Sequence, residues 1–227
     1  MTLVDTSGNY GHGRSEQFIG PVIAPMRERV FLVSKVEGDE VEGDGIARAC
    51  TASLARLGLP SLDLYLMHWP PPTKTFGHMV AAFEQLRAAG KIGAWGVSNF
   101  DRAQMEALFK VPDGNRCATN QVEYSLRERG IDRELLPWCV EHGVPVMAYS
   151  PLGGDHNLLV RDPVLAKIGA AHGCTAAAVA LAWVIRSGHV IAIPEAGSPD
   201  HLREDAAALA VTLTPEELRT LDQAFPA

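Results

Sequence analysis

The chain alternates short apolar runs with segments in which apolar residues recur at helical spacing. The runs are rich in Val, Ile, Leu and Tyr, and they predict strands near residues 2–5, 30–35, 63–67, 94–98, 118–122, 145–149 and 189–193. Continuous apolar runs of this kind are typical of strands buried on both faces of a parallel sheet. The pattern therefore predicts an α/β protein whose parallel strands are joined by crossover helices, as in a β/α barrel.

Several of the predicted helices carry end signals. Ser15 followed by Glu16 indicates a capped start. Thr214, Pro215 and Glu217 have the order expected at a helix N-terminus with a capping box. The helical segments are predicted at 43–58, 80–91, 101–109, 132–142, 162–172, 175–187, 199–208 and 214–223, in addition to the one at Ser15.

Seven strands are one fewer than a β/α barrel requires, and 227 residues are fewer than the roughly 250 that are typical. The chain opens directly on a strand, so we expect a first strand and helix to be missing. No low-complexity segment or linker indicates a second domain. Residues 1–227 are therefore predicted to form a single TIM-type barrel domain truncated to seven strands, and GGDHNL after Tyr149 is interpreted as a loop over its mouth.

Polar side chains stand at the ends of the predicted strands. They are Asp5, Lys35, His68, Ser98, Asn99, Gln121, Tyr149 and Ser150. In β/α barrels the carboxyl ends of the strands share one face, and that face carries the active site. We expect these side chains to converge there.

Tyr10 lies shortly after Asp5 in a glycine-flanked turn, which can fold the phenol back over the mouth. An ammonium such as that of Lys35, about 4 Å from a phenolate at an effective dielectric of about 20, stabilises it by roughly 4 kcal/mol. Asp5 would keep Lys35 charged and aimed. His68 can donate a hydrogen bond to a carbonyl oxygen beside the phenol. The four side chains predict an acid that protonates a developing alkoxide.

Seven segments resemble, in order and spacing, the motifs of the aldo-keto reductase superfamily, in particular the bacterial methylglyoxal and diketogluconate reductase type. They are DTSGNYGHGRSE, VFLVSK, DLYLMHWP, GKIGAWGVSNF, NQVEYS, MAYSPLGG and AIPEAGSPDHLRED, and they extend over essentially the whole chain. The resemblance implies NAD(P)H-dependent reduction of aldehydes and ketones, such as methylglyoxal and keto sugars. The family's amino-terminal hairpin and first β/α unit have no counterpart in this sequence.

The resemblance also implies roles for individual residues. The catalytic tetrad comprises Asp5, Tyr10, Lys35 and His68, with Tyr10 as the general acid, and Trp69 is either a wall of the substrate pocket or part of the core. The implied cofactor contacts are Ser98, Asn99 and Gln121 at the nicotinamide carboxamide, Tyr149 stacked on the nicotinamide ring, Ser150 and Leu152 at the pyrophosphate, Pro194 in the IP pair, and Glu204 and Asp205 at the adenine amino group.

Three positions depart from the pattern of family members that use NADPH. Such members usually have a Lys and then a Ser after the IP pair, and an Arg a few positions later; the Lys and the Arg hold the adenosine 2′-phosphate. Here these positions are Glu195, Ala196 and His201, and a carboxylate repels a phosphate dianion. The resemblance implies NADPH, whereas these residues weaken its 2′-phosphate site, so the predicted cofactor is NADPH or NADH.

Each of these residues also has an ordinary interpretation. A lone Asp after a strand is most often a turn residue, and a His beside a Trp can be a satisfied core residue. Asn99 could cap the helix that begins near Asp101, and Glu204 with Asp205 could form a solvated helix face. The alternative function is a catalytically silent nicotinamide-binding barrel, acting as a redox sensor or an interaction subunit, or an inactive fragment.

Composition and charge limit the classes of molecule that the chain is expected to bind. A net charge of −7 without a Lys/Arg cluster argues against a nucleic-acid footprint. No apolar run approaches the roughly 20 residues of a membrane span, and the four scattered cysteines are expected to be reduced thiols. The histidines outside the tetrad show no metal-ligand spacing. We expect a cytoplasmic monomer or weak oligomer that acts on a small carbonyl compound without metal, nucleic acid or membrane.

Overall fold

The computed structural model describes residues 2–72, 76–154 and 158–227. The chain groups into two compact units, Met1–Asn120 and Gln121–Ala227. Residues 155–157, in the middle of the loop predicted over the mouth, lie outside the described residues.

The first unit is a parallel sheet with helices between its strands. Its elements are β1 (Leu3–Asp5), α1 (Arg14–Ile23), β2 (Phe31–Val36), α2 (Gly45–Leu57), β3 (Leu62–Met67), α3 (Gly77–Ala88), β4 (Ile92–Ser98) and α4 (Arg102–Phe109). The strands pair in chain order, with Asp5 opposite Val33 and Lys35 opposite Leu66. The carboxyl ends of β1, β2 and β3 are therefore neighbours, as predicted.

The core of the first unit is built from the apolar residues of these strands. Trp95 and Phe83 stack with their ring centres 5.5 Å apart, and Tyr65 meets Phe83 edge to face. All three side chains are buried, and aromatic side chains contribute large apolar areas to a core. This packing fixes β3 and β4 against α3 and so fixes the strand ends that carry polar residues.

The second unit continues the alternation of strands and helices. Its elements are β5 (Asn120–Glu123), which begins on the last residue of the first unit, α5 (Leu135–Glu141), β6 (Val146–Tyr149), α6 (Pro163–His172), α7 (Ala176–Ile185), β7 (Val190–Ala192), α8 (Pro199–Ala207) and α9 (Pro215–Ala224). Strands β6 and β7 are parallel. Helix α7 is buried over nearly its whole length, which explains its Ala- and Val-rich sequence.

Strands occur at all the predicted positions, but one local prediction and one alternative interpretation were wrong. Ser15 does not cap α1, because the helix begins at Arg14 after Gly13, whose φ of 84° is left-handed. Asn99 does not cap α4, because the side chain of Asp101 accepts a hydrogen bond from the backbone N–H of Gln104 in a capping box.

The capping box of Thr214 and Glu217 at the start of α9 is confirmed. Gln121 is the second residue of β5 and not its end, so it lies deeper in the sheet than predicted.

Within the described residues, no individual helix has the length and apolar character needed to cross a membrane; α6 and α7 satisfy those criteria only as a pair, which is bent by 88°.

Candidate active site

Lys35 is the centre of the predicted tetrad. Its ammonium nitrogen donates to Asp5 Oδ1 at 2.5 Å, to the carbonyl oxygen of Thr6 at 2.9 Å and to the phenol oxygen of Tyr10 at 3.2 Å. An ammonium has three hydrogens, so these three acceptors match its donors. The Lys35 side chain is fully buried, and a buried charge needs such partners. The structure thus brings Asp5, Tyr10 and Lys35 together as predicted.

Tyr10 faces outward from this cluster. Its side chain is 42% exposed, while the Lys35 ammonium lies 4.7 Å from the centre of its ring. The ring of His68 meets that of Tyr10 edge to face, with centres 5.9 Å apart. The phenol is therefore flanked by a cation and an imidazole and remains accessible from solvent.

The turn that carries Tyr10 has an unusual backbone. Gly11, His12 and Gly13 have φ values of 58°, 56° and 84°, so three consecutive residues are left-handed. Glycine adopts this region without steric cost. At His12 the same conformation brings the Cβ atom close to the backbone and is sterically unfavourable. Such a turn persists only where its surroundings hold it.

Arg56 of α2 lies beneath this turn. A Cβ added to Gly8 would lie 2.9 Å from Arg56 Nη2, and one added to Gly13 would lie 2.6 Å from its Cδ. Arg56 Nε donates to Oε2 of Glu16 at 2.6 Å, and Glu16, which is fully buried, accepts a further hydrogen bond from Ser34 on β2. The arginine therefore connects both ends of the Tyr10 turn to the strand that carries Lys35.

His68 has a partner that the sequence reasoning missed. Its Nδ1 lies 2.6 Å from Oε1 of Glu37, and the two side chains are 13% and 28% exposed. Glu37 follows the end of β2, so the rule that polar residues after strands face the mouth could have found it.

Trp69 belongs to the same group of side chains. It is 51% exposed, and its ring stacks on that of His68 with centres 6.0 Å apart. The alternative that placed Trp69 in the core is therefore wrong, and its position agrees with a pocket wall.

The end of β4 is tied to His68. Asn99, which has a φ of 63°, donates from Nδ2 to the carbonyl oxygen of His68 at 3.0 Å and to Ser98 Oγ at 3.1 Å. Ser98 is buried. Of the predicted cofactor residues, the structure therefore brings Ser98 and Asn99 close to the backbone of the tetrad.

In the second unit, four other predicted cofactor residues lie on or after strands. Gln121 is buried, and its amide lies 4.0 Å from the sulfur of Met147. Tyr149 ends β6, and Ser150 follows with a left-handed φ of 50°. Pro194 comes shortly after β7 and is half-buried.

A cavity of about 300 Å³ in the second unit collects the remaining predicted residues. It is lined by Leu152, Val160, Thr175, Ala177, Glu195, His201, Glu204 and Asp205. Leu152, Glu204 and Asp205 are therefore brought together, along with the two residues that depart from the NADPH pattern.

Asp205 is the unusual side chain of this cavity. It is 6% exposed, and its Oδ2 has no hydrogen-bond partner in the part of the chain that the structure describes. Burial raises the pKa of the Asp205 carboxyl, and the nearby His201 counteracts this in part. The interpretation as a solvated helix face is wrong for Asp205, while Glu204 is exposed.

A model described as the Aldo/keto reductase family matches residues 1–225. The chain belongs to this family. The predicted recognition and the predicted enzyme class, an NAD(P)H-dependent oxidoreductase, are confirmed.

Individual aldo/keto reductases are similar to this chain over most of their own length. The chain is 48% identical to methylglyoxal reductase YeaE of Escherichia coli (strain K12), over 100% of the chain and 81% of that protein. It is 33% identical to an aldo-keto reductase of Mycolicibacterium paratuberculosis (strain ATCC BAA-968 / K-10), over 97% and 75%.

A solved structure confirms the fold class. An aldo-keto reductase from Klebsiella pneumoniae, crystallised in complex with NADPH, matches with a TM-score of 0.95 and 44% identity, over 100% of the chain and 80% of that structure. The chain is thus an α/β protein of the TIM-barrel type with seven parallel strands among its described residues.

Proposed function

We propose that the chain reduces small 2-oxoaldehydes such as methylglyoxal, and keto sugars, to alcohols, with Tyr10 as the general acid. The observation that carries this proposal is the contact of 3.2 Å between the Lys35 ammonium and the Tyr10 phenol. The 48% identity to a methylglyoxal reductase supports the choice of substrate.

The reduced nicotinamide supplies the hydride when it is bound. Tyr10 donates its proton to the carbonyl oxygen as the alkoxide develops, since its phenol is exposed to an incoming substrate. Lys35 stabilises the phenolate that remains. Asp5, at 2.5 Å from the ammonium, keeps that cation charged and in place.

The cavity around Asp205 fits the base of a dinucleotide. Its walls include the apolar side chains of Leu152, Val160 and Ala177, which suit a flat heteroaromatic ring. Oδ2 of Asp205, which has no hydrogen-bond partner among the described residues, is an acceptor for the exocyclic amine of adenine. In the first unit, Ser98 and Asn99 would hold the carboxamide. In the second unit, the residues proposed to hold the cofactor are Gln121, Tyr149, Ser150, Leu152, Pro194, Glu204 and Asp205.

A single catalytic domain, a cytoplasmic location and a small-molecule partner are also proposed for the chain. The family match over residues 1–225 supports a single catalytic domain over 1–227. All four cysteines are free, and burial raises the pKa of Cys50 to about 11 and that of Cys139 to about 12. Free cysteines support a cytoplasmic location. The net charge of −7 supports a protein that binds neither nucleic acid nor anionic membranes, as a monomer or weak oligomer.

The test is the loss of reduced-nicotinamide absorbance with methylglyoxal, measured for the parent and for Tyr10→Phe. Loss of the acid is expected to lower kcat by at least about 100-fold, while the cofactor Kd from fluorescence titration stays the same. Tyr124→Phe is the matched control, because the hydroxyl of Tyr124 contacts Asp132 and not Lys35. A folded Tyr10→Phe variant that reduces methylglyoxal as fast as the parent would refute the assignment.

A further inference from the structure

Helix α1 has two faces that are suited to packing. One of them lies against α2, where a Cβ added to Gly20 would collide with the carbonyl oxygen of Leu57. The other face consists of Phe18, Val22 and, in the short helical turn Ala24–Arg29 that follows, Met26. These three side chains, which we call the α1 stripe, recur at every fourth residue and are exposed. A continuous exposed apolar surface of this kind marks an interaction site.

Strand β1 is open on one side. It pairs with β2 and is the first strand in the order of the sheet, so no strand that the structure describes lies along its other edge. All three of its residues, Leu3–Asp5, are half-buried, whereas β2 is buried from its second residue onward. The free N–H and C=O groups of a sheet edge can pair with a further strand.

The free edge and the α1 stripe fit the same kind of partner. In this unit α1 follows β1, α2 follows β2, and α1 packs beside α2. Connections between parallel strands are right-handed in almost all proteins, which puts successive helices on the same face of the sheet. One more strand beside β1, followed by its own helix, would therefore place that helix beside α1, on the side away from α2.

Simpler partners satisfy only half of this surface. A single strand would pair with β1 and leave the α1 stripe exposed, and a single helix would cover the stripe and leave the edge of β1 open. A strand followed by a helix covers both, and it repeats the contacts that β1 already makes with β2 and α1 with α2.

We propose that the free edge of β1 and the α1 stripe form a docking site for a separate polypeptide segment, an extended strand followed by an amphipathic helix, and that its binding raises the turnover of the chain. The strand adds to β1 in the parallel direction. The apolar face of the helix covers Phe18, Val22 and Met26.

The effect on turnover rests on the proposed function and concerns its regulation. β1 carries Asp5, and α1 begins at Arg14, after the turn that carries Tyr10. A segment that covers both elements holds the two ends of that turn and the carboxylate that contacts Lys35. Because small displacements of catalytic groups lower the rate considerably, the docked segment acts on kcat.

The first experiment measures binding. The probe is the segment of methylglyoxal reductase YeaE that this chain does not match, since the chain covers 81% of that protein; the resemblance of the motifs implies that this segment holds the family's amino-terminal hairpin and first β/α unit. The segment is labelled with a fluorophore and titrated with the whole chain. We expect saturable binding and a higher melting temperature of the complex, because a ligand that binds only the folded state stabilises it.

Val22→Lys tests the α1 stripe and is expected to raise the Kd of the segment by at least about tenfold. Val140→Lys is the matched control, because Val140 is an exposed apolar residue on α5, in the second unit. The control should bind as tightly as the parent. Equal losses in the two variants, or no saturable binding to the parent, would overturn the proposal.

Sedimentation of the chain without the segment tests the competing occupant, a second copy. The parent is expected to be a monomer at the concentrations of the titration. A parental dimer that Val22→Lys dissociates would mean that the α1 stripe packs against itself, and the proposal would then be wrong.

The second experiment measures methylglyoxal reduction with and without a saturating concentration of the segment. The kcat of the parent should rise by at least about fivefold. Val22→Lys should keep the parental kcat without the segment and need a higher concentration of it for the same rise. A segment that binds and leaves kcat unchanged would refute the regulatory effect. If the chain reduces no carbonyl compound in either condition, the proposed function fails, while the binding experiment still decides the docking site.

Discussion

The ammonium nitrogen of Lys35 lies 3.2 Å from the phenol oxygen of Tyr10 and 4.7 Å from the centre of its ring. The cation thus contacts the atom that loses a proton in the proposed reaction. Because the Lys35 side chain is fully buried, solvent screens this interaction less than one between two exposed groups. The charge of Lys35 should matter more for the reaction rate than for cofactor binding.

Lys35→Met tests this relationship. Removal of the ammonium is expected to lower kcat by about 10² to 10⁴-fold, the usual range for a disabled general acid, with the Kd of reduced cofactor little changed. The variant should also be less stable, because Asp5 loses its ion pair. Adding Asp5→Asn removes the remaining charge, so the double variant should regain melting temperature without regaining kcat. Recovery of both would mean that Lys35 acts only through stability.

Gly8→Ala tests whether Arg56 sets the position of the Tyr10 turn. The added methyl group would lie 2.9 Å from Arg56 Nη2, so either the guanidinium or the turn must shift. We expect kcat to fall by roughly five- to tenfold, about 1 kcal/mol of positioning. In an Arg56→Lys background, which lacks Nη2 but keeps the charge beside Glu16, the same change should cost little.

The double-mutant cycle of these two changes is the measurement. Arg48→Lys is the control background, since Arg48 is on the same helix but pairs with Asp44 in solvent. Additive effects of Gly8→Ala and Arg56→Lys on kcat would show that the two residues do not act together.

The proximity of Asp5, Lys35 and His68 could be predicted from the sequence because it depends on strand order. Asp5, Lys35 and His68 lie at the ends of neighbouring parallel strands, and that neighbourhood follows from the alternation of strands and helices. The rule that places Glu37 at the mouth does not identify its contact with His68, because that contact also depends on the path of the turn at Gly38–Val41. Side chains in such turns have no periodic signal.

The burial of Asp205 in helix α8 could not be predicted from the sequence either. Its sequence, PDHLREDAA, is mostly polar, yet Asp205 is buried while its neighbour Glu204 is exposed. The difference comes from packing against other helices, which a polar stretch of sequence does not indicate.

Asp205→Asn is expected to stabilise the protein at neutral pH. Burial raises the pKa of Asp205, so its carboxyl contributes stability below the pKa of the unfolded chain and loses that contribution as the pH rises through the folded value. Asn removes the cost of a buried charge. We expect a melting temperature higher by roughly 2 to 4 °C at pH 7, with the difference shrinking towards about pH 4.

Thermal melts across this pH range are the measurement. Glu204→Gln, at the exposed neighbouring position, serves as the control and should show no such trend. An Asp205→Asn variant that is less stable at neutral pH would mean that the ionised carboxyl has a favourable partner.

The charge of the cavity around Asp205 should govern the choice between NADH and NADPH. Glu195, Glu204 and Asp205 line it together with one imidazole, that of His201. If this cavity holds the adenosine end, as proposed, the carboxylates repel a 2′-phosphate. The parent should therefore bind NADH at least as tightly as NADPH in fluorescence titrations.

Glu195→Lys replaces a repulsive charge with an attractive one and should strengthen NADPH binding relative to NADH by at least about tenfold, or 1.4 kcal/mol. The gain should decrease at high salt, because Glu195 is exposed and such charges are screened. Glu216→Lys makes the same change in net charge on α9, where the residue pairs with Arg219, and it should leave the ratio of the two Kd values unaltered. Equal effects of the two substitutions would mean that the overall charge of the protein, and not this cavity, determines the preference.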